Sequence, residues 1–232
     1  LQLIEEAPQT KELALIRIIH NLSQNESDLN EFIHFNKEIL KENFSKQKND
    51  LAYANIAKAS IKTDRILEHD KHISLALRGN ELSEYEKDYI RLSLVKSQHI
   101  KQQYKSSKFH LDILSQSKND AIAAEALLLV AKRLYDLRKF EASYSASQAS
   151  LERGKSDRNF VANVILLQAK IYFQKGELDA ATSGIETILS QEGLDSSILK
   201  KADELMKEIK SKRKFLKAKS NPTLNLQYGT HE

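Results

Sequence analysis

Apolar residues recur along most of this chain at the three- and four-residue intervals of amphipathic helices, and the pattern repeats. The clearest stretch runs from Ile165 to Leu189. Its centre reads Ala169-Lys170-Ile171-Tyr172-Phe173-Gln174-Lys175-Gly176-Glu177-Leu178-Asp179-Ala180-Ala181. A small residue stands three before a tyrosine, a glycine follows, and an apolar residue comes next with alanine three beyond it. The frame recurs upstream. Val130-Ala131 pairs with Phe140, Ser143 and Leu151; Leu94-Val95 pairs with Tyr104, Ser107, Leu111 and Leu114. Tyr53 and Ile56-Ala57 pair with Ile66, Ile73 and Leu77. The aligned residues Ile66, Tyr104, Phe140 and Leu178 lie 38, 36 and 38 positions apart. The spacing predicts a helical hairpin in each unit. A further hairpin is predicted before them, with helices over Lys11–Leu22 and Leu29–Asn43, the latter carrying Phe32, Phe35, Ile39 and Leu40. A last helix, from Ser196 to about Lys219, opens with Ile198, Leu199, Ala202, Leu205, Met206 and Ile209 before lysines take over.

Together the small residue, Tyr172, Gly176 and Ala181 of the Ile165–Leu189 unit resemble the tetratricopeptide repeat, a helix–turn–helix of about 34 residues. The match covers roughly Lys11 to Leu189. Several positions depart from the family pattern. Gln168 stands where an apolar residue belongs, only one unit keeps the turn glycine, His69 and Ser147 replace small or aromatic residues, and no unit carries the terminal proline. The resemblance implies an all-α right-handed superhelix of about five hairpins plus a C-terminal capping helix over residues 1–219, followed by an extended tail over 220–232. A single hairpin has too little core to stand alone, so stacked neighbours must bury the seam and a terminal helix must present a polar outer face.

Composition sharpens this picture. The chain has 232 residues, of which 41% are hydrophobic, 6 are glycine and 2 proline. So little punctuation argues against an all-β domain. Cysteine is absent, which excludes a disulfide framework and thiolate chemistry. No apolar run approaches the ~18–20 residues of a membrane helix. The chain begins at Leu1 and its one methionine is Met206, the pattern of a processed protein or an excised piece. The net charge of +4 is local. Seven basic residues and one acid between Lys207 and Lys219 contribute +6, leaving −2 for the other residues. A nucleic-acid partner is therefore not expected.

Registering the units brings out a second pattern. The residue after the small position is lysine four times: Lys58, Lys96, Lys132 and Lys170. In the resembled family this position faces the concave groove, so the resemblance implies a ladder of lysines there. Helices packed roughly 8–10 Å apart would space the rungs near the Debye length of about 8 Å, so one polyanion would feel several at once. Tyr135 and Phe173 stand three residues beyond their lysines, and His99 holds the equivalent place in the preceding unit; they are the candidate local contacts. The competing reading is a solvated lysine on each helix.

Other chemistry is sparse. His69 and His72 share a helical face, but a zinc site needs three or four ligands and Lys71 opposes a cation, so neither metal nor cofactor is expected. There is no GxSxG, GxxxxGK[ST] or GxGxxG motif, and the chain is not expected to be an enzyme. The Lys207–Lys219 stretch has three readings, in order: the solvated end of a cap helix, an attractor of anionic lipid, and a nucleic-acid contact with only Phe215 to stack.

The tail changes period. Leu224, Leu226 and Tyr228 alternate with Thr223, Asn225 and Gln227, a strand signal in a helical chain. A membrane β-barrel strand alternates in this way over about ten residues; the competing reading is a disordered tail with chance alternation. Helical repeats followed by such a strand resemble bacterial outer-membrane exporters that carry a periplasmic tetratricopeptide scaffold before the barrel: the export porins for cellulose or poly-N-acetylglucosamine, and the surface-lipoprotein assembly modifiers. The resemblance implies a non-catalytic scaffold at the periplasmic face of the outer membrane. It would recruit a secreted client, an acidic protein or peptide or a polysaccharide. The alternatives are a soluble intracellular adaptor that binds a peptide or partner subunit, and an enzyme framed on helical hairpins.

Overall fold

A computed structural model describes residues 28–220 together with Leu15, Ile18 and Ile19. Among these residues the chain forms ten α-helices and no strand. They are α1 (Leu29–Glu42), α2 (Lys46–Lys62), α3 (Asp70–Ala76), α4 (Glu84–Ile100), α5 (Tyr104–Leu114), α6 (Asp120–Asp136), α7 (Phe140–Gly154), α8 (Arg158–Lys175), α9 (Leu178–Leu189) and α10 (Ser196–Ser220). The fold is all-α, with sequence neighbours packed together: α1 on α2, α2 on α3, α4 on α5, α7 on α8, α8 on α9, and α9 on α10. The chain divides into two compact units, residues 1–122 and 123–232.

Side-chain caps fix where α2, α4, α6 and α8 start. The side chains of Ser45, Ser83, Asn119 and Asp157 accept hydrogen bonds from the backbone N–H groups of Lys48, Glu86, Ile122 and Phe160, each three residues on. These caps satisfy donors that a helix start leaves orphaned. They recur at the same intervals as the aligned apolar positions Ile66, Tyr104, Phe140 and Leu178. At Ser83 the Glu86 carboxylate reaches back to the Ser83 N–H and completes a capping box.

The turns inside the hairpins are equally regular. Asp64, Gln102, Arg138 and Gly176 have positive φ (54°, 57°, 57° and 84°), each two residues before the aligned positions Ile66, Tyr104, Phe140 and Leu178. Two backbone hydrogen bonds recur at every one. Arg65, Gln103, Lys139 and Glu177 donate to the carbonyls of Ser60, Gln98, Leu134 and Tyr172, and the left-handed residue donates to the carbonyl of Ile61, His99, Tyr135 or Phe173. This paired pattern is the Schellman motif. The motif therefore occurs four times, although only the last carries the glycine that makes it visible in sequence.

Close approach holds the hairpins together. The small positions Ala57, Val95, Ala131 and Ala169 are all buried. So are Ser107, Ser143 and Ala181, three residues into the second helices. In the second unit the Ser143 hydroxyl donates to the Ala131 carbonyl at 2.7 Å and the Ser150 hydroxyl to the Ala124 carbonyl at 2.9 Å. A side chain this short can bond a neighbouring helix backbone only where the helices nearly touch. Gly154 marks the same contact: a Cβ there would overlap the Phe160 ring and stand 3.0 Å from the Ala124 Cβ. Two departures from the repeat pattern answer each other, because the Gln168 amide donates to the Ser147 hydroxyl at 3.1 Å.

The first unit differs from expectation in one helix. The stretch Ile66–Leu77 is a 3-10 turn over Ile66–His69 followed by the short α3. The break falls at His69, a buried imidazole at the position that Ser107, Ser143 and Ala181 fill elsewhere. An imidazole needs more room than a hydroxymethyl or methyl group at a helix contact. Around it, Ala54, Ala57, Ile66, Ile73, Ala76, Leu82, Ile90 and Leu94 form the main core cluster of this unit. The predicted Lys11–Leu22 helix lies mostly outside the described residues; of its described residues, Leu15 packs with Ile39 and Ala52. The alternating segment 223–229 lies wholly outside them.

In the second unit one cluster joins Leu128 and Ala131 to Val164, Leu167 and Ile171. Another joins α8 and α9 to Ile198, Ala202, Leu205, Met206 and Ile209 of α10, which is the apolar stripe expected of a capping helix.

The turns and caps can be tested by substitution. Gln102→Gly and Arg138→Gly should each stabilise the chain by about 0.5–1 kcal/mol, because a left-handed residue with a Cβ costs roughly 1–2 kcal/mol and glycine gives back only part of that as unfolded-state entropy. Gly176→Ala should cost about 1 kcal/mol. In urea denaturation, a midpoint that falls for Arg138→Gly would contradict the shared turn. Asp157→Ala should cost about 1 kcal/mol by the same measurement.

Candidate docking groove

The lysines that follow the small positions all reach the surface, but their surroundings differ. On α2, Lys58 contacts the Glu86 carboxylate at 2.7 Å. Glu86 also accepts from the Ser83 N–H and hydroxyl, at 2.9 and 2.8 Å. The Lys58 hydrogen bond, and then those from Ser83, hold the pKa of the Glu86 carboxyl down to about 2. Lys58 thus braces the capped start of α4 against α2. Lys96, on α4, is exposed. Both belong to the first unit.

In the second unit two rungs meet. Lys132 and Tyr135 of α6 and Lys170 of α8 line one open groove of about 300 Å³. Asn163, Leu166 and Leu167 of α8 supply its floor, and Lys201 of α10 adds a third ammonium. Asn163, Leu166, Leu167 and Lys170 fall at i, i+3, i+4 and i+7, so the helix itself puts them on one face. Asp136 is the single acid lining the groove. The lining thus presents three primary ammonium groups on flexible stems, one carboxylate and two leucines.

The aromatic candidates pack across the hairpin turns. The His99 ring meets Tyr104 edge to face at 5.0 Å, and Tyr135 meets Phe140 at 5.8 Å. Each contact joins the last turn of one helix to the first residue of the next. Tyr135 serves both the turn and the groove, and burial pushes its phenol above the ordinary range against the opposing effect of a hydrogen bond with Gln174. Phe173 packs against the α8–α9–α10 core and lies beneath Lys212, whose Nζ stands 4.5 Å from the ring centroid and donates to the Phe173 carbonyl at 3.1 Å. The ring is thereby committed to holding α10.

Sequence spacing found Lys132, Lys170 and Tyr135 but not Lys201 or Asn163. Lys201 follows no small residue and is not in the ladder's frame. It joins the groove only because α10 docks with Ala202, Leu205 and Ile209 inward.

A larger cleft of about 730 Å³ lies in the first unit between α4 and the end of α5. Its acids are already occupied: Asp88 pairs with Arg91 at 3.0 Å and accepts from the Ser117 hydroxyl at 2.6 Å, and Glu84 pairs with Lys87 at 3.0 Å. Among the described residues no three histidine, aspartate or glutamate side chains gather as a metal site. The His69 and His72 rings meet edge to face at 5.9 Å. Burial, and after it Lys37 nearby, disfavours positive charge on both imidazoles. Among the described residues no helix is long and apolar enough to cross a membrane. Comparison with protein-family models, curated proteins and solved structures finds no match to this chain.

One buried and two half-buried imidazoles carry a pH dependence. Burial first, and nearby cations second, hold His69, His72 and His110 below the ordinary histidine value of 6.5. Above that value they are neutral in both folded and unfolded chains. As pH falls below it, the unfolded chain takes up protons first, so stability is lost from about pH 6.5 downward. Urea titrations at pH 7.5 and about pH 5 should show a lower midpoint in acid, and His69→Phe should reduce the difference. An acid-insensitive midpoint would remove this account of the first unit.

Proposed function

We propose that the chain is a non-catalytic interaction scaffold, built of variant tetratricopeptide hairpins, that docks an acidic protein segment in the groove of its second unit. The observation that carries the reading is the convergence of Lys132, Lys170 and Lys201, from three helices, on one groove floored by Leu166 and Leu167. The ammonium groups would draw the client in from beyond contact range. Tyr135 and the leucines would then hold its apolar side chains. The tetratricopeptide assignment is supported by the recurrence of cap, small contact and left-handed turn at matching positions of successive hairpins. Placement beside an outer-membrane barrel is a separate proposal that rests on residues 223–229, outside those described. A soluble adaptor would use the same groove.

The test uses poly-L-glutamate as the acidic probe, with affinity measured by fluorescence anisotropy over a range of salt. The triple variant Lys132→Gln, Lys170→Gln, Lys201→Gln should weaken binding at least tenfold and flatten its salt dependence. Lys58→Gln should leave binding nearly unchanged, since that lysine braces α4. Equal affinity for the triple variant and the parent chain would sink the groove as the docking site.

A further inference from the structure

The last helix enters in the register of the repeat and then leaves it. Asp195, just before α10, follows the cap residue Asp157 by the same interval that separates Asp157 from Asn119. Carried forward by that interval, the left-handed turn at Gly176 falls on Lys214 and the second-helix start at Leu178 falls on Leu216. The chain does not turn there. α10 stays helical to Ser220 and runs past its supports.

Two basic residues fasten it just before the overhang. Lys212 donates to the Phe173 carbonyl, and Arg213 donates to the Leu178 carbonyl at 3.2 Å, to Asp179 at 2.6 Å and to the Thr182 hydroxyl at 3.0 Å. From Lys214 to Lys219 every residue is exposed. Leu216 continues the stripe of Ile198, Leu205 and Ile209, at spacings of 7, 4 and 7. Those three are at most 4% exposed, whereas Leu216 is 48% exposed and Phe215 is 65% exposed. The apolar stripe therefore outlasts the helices that cover it. After Glu208 the helix contains no acid, and Lys210, Lys214, Lys217 and Lys219 surround the two apolar residues.

We propose that this overhanging helix end docks on an anionic lipid bilayer. Electrostatics and area both favour a membrane over a folded protein. The overhang is about 9 Å long and offers two large apolar side chains, far short of the roughly 800 Å² that each partner contributes to a stable protein interface. A charged leaflet needs no such matched surface. It attracts each nearby lysine by a factor of roughly five in partitioning. Phe215 and Leu216 enter the headgroup boundary while the lysine stems extend along it and keep their ammonium groups at the phosphates. The groove and this end use different residues, so either site can fail without the other.

The intact chain tests this directly. It has no tryptophan, so Phe215→Trp provides a single reporter at the overhang. With vesicles of mixed phosphatidylglycerol and phosphatidylcholine, the emission should shift to the blue and the chain should co-sediment, less so at high salt. Pure phosphatidylcholine vesicles should bind it far more weakly. The variant Lys214→Gln, Lys217→Gln, Lys219→Gln should lose roughly a hundredfold in partitioning, as three such factors multiply. The groove variant Lys132→Gln, Lys170→Gln, Lys201→Gln removes the same charge elsewhere and should lose much less. Equal losses in the two triple variants would reduce the effect to net charge and overturn the proposal. So would co-sedimentation without an emission shift, or equal binding to both vesicle types. An emission shift with poly-L-glutamate matching that with anionic vesicles would reassign the overhang to an acidic polymer.

Discussion

The hairpins rest on close contact between helices, and that contact constrains nearly everything around it. Ala57, Val95, Ala131 and Ala169 are buried at equivalent points, and in the second unit serine hydroxyls bond directly to backbone carbonyls of the neighbouring helix. Helices so close need a tight reversal, which the left-handed residue and its two hydrogen bonds supply. They also need a defined starting point, which the serine, asparagine and aspartate caps supply. A bulky residue at the contact disturbs the pattern, and His69 stands where the second helix of its hairpin breaks into a 3-10 turn and the short α3.

The same geometry sorts the lysines. Each lysine follows a pair that includes the buried small residue, and the helix rotation of about 100° per residue carries it off the packed face toward the surface regardless of any ligand. What distinguishes one from another is the neighbour. Lys58 meets Glu86 and becomes a brace. Lys132 and Lys170 meet Lys201 and, with Tyr135 and two leucines, line a groove. Charge at a fixed sequence position thus stands in different surroundings in one chain. The aromatic residues show a similar division: His99 and Tyr135 tighten turns, whereas Phe173 secures the last helix beneath Lys212.

The basic end of α10 also divides. Lys212 and Arg213 bond carbonyls and side chains of α8 and α9 and act as fasteners, although the sequence shows them only as part of a run of positive charge. Beyond them the helix has passed its supports, and its residues from Lys214 to Lys219 are exposed. The failure of α10 to turn at Lys214 leaves Phe215 and Leu216 at the surface.

The sequence by itself determined the all-helical class and the interval at which caps and contacts recur, because helical periodicity and small contact residues are local and repeat; it did not show that the stretch Ile66–Leu77 breaks into a 3-10 turn and a short helix. The same repetition made Lys132 and Lys170 legible as equivalent positions. It did not reveal three of the four left-handed turns inside the hairpins, because Asp64, Gln102 and Arg138 adopt that conformation without the glycine that would announce it. Nor did it show the hydrogen bond between Gln168 and Ser147, which turns two apparent departures into one contact. Lys201 entered the groove, and Lys58 became a brace, through contacts between helices distant in sequence. Those contacts depend on the angle and depth at which packed helices meet, quantities that no local pattern encodes and only the tertiary structure decided.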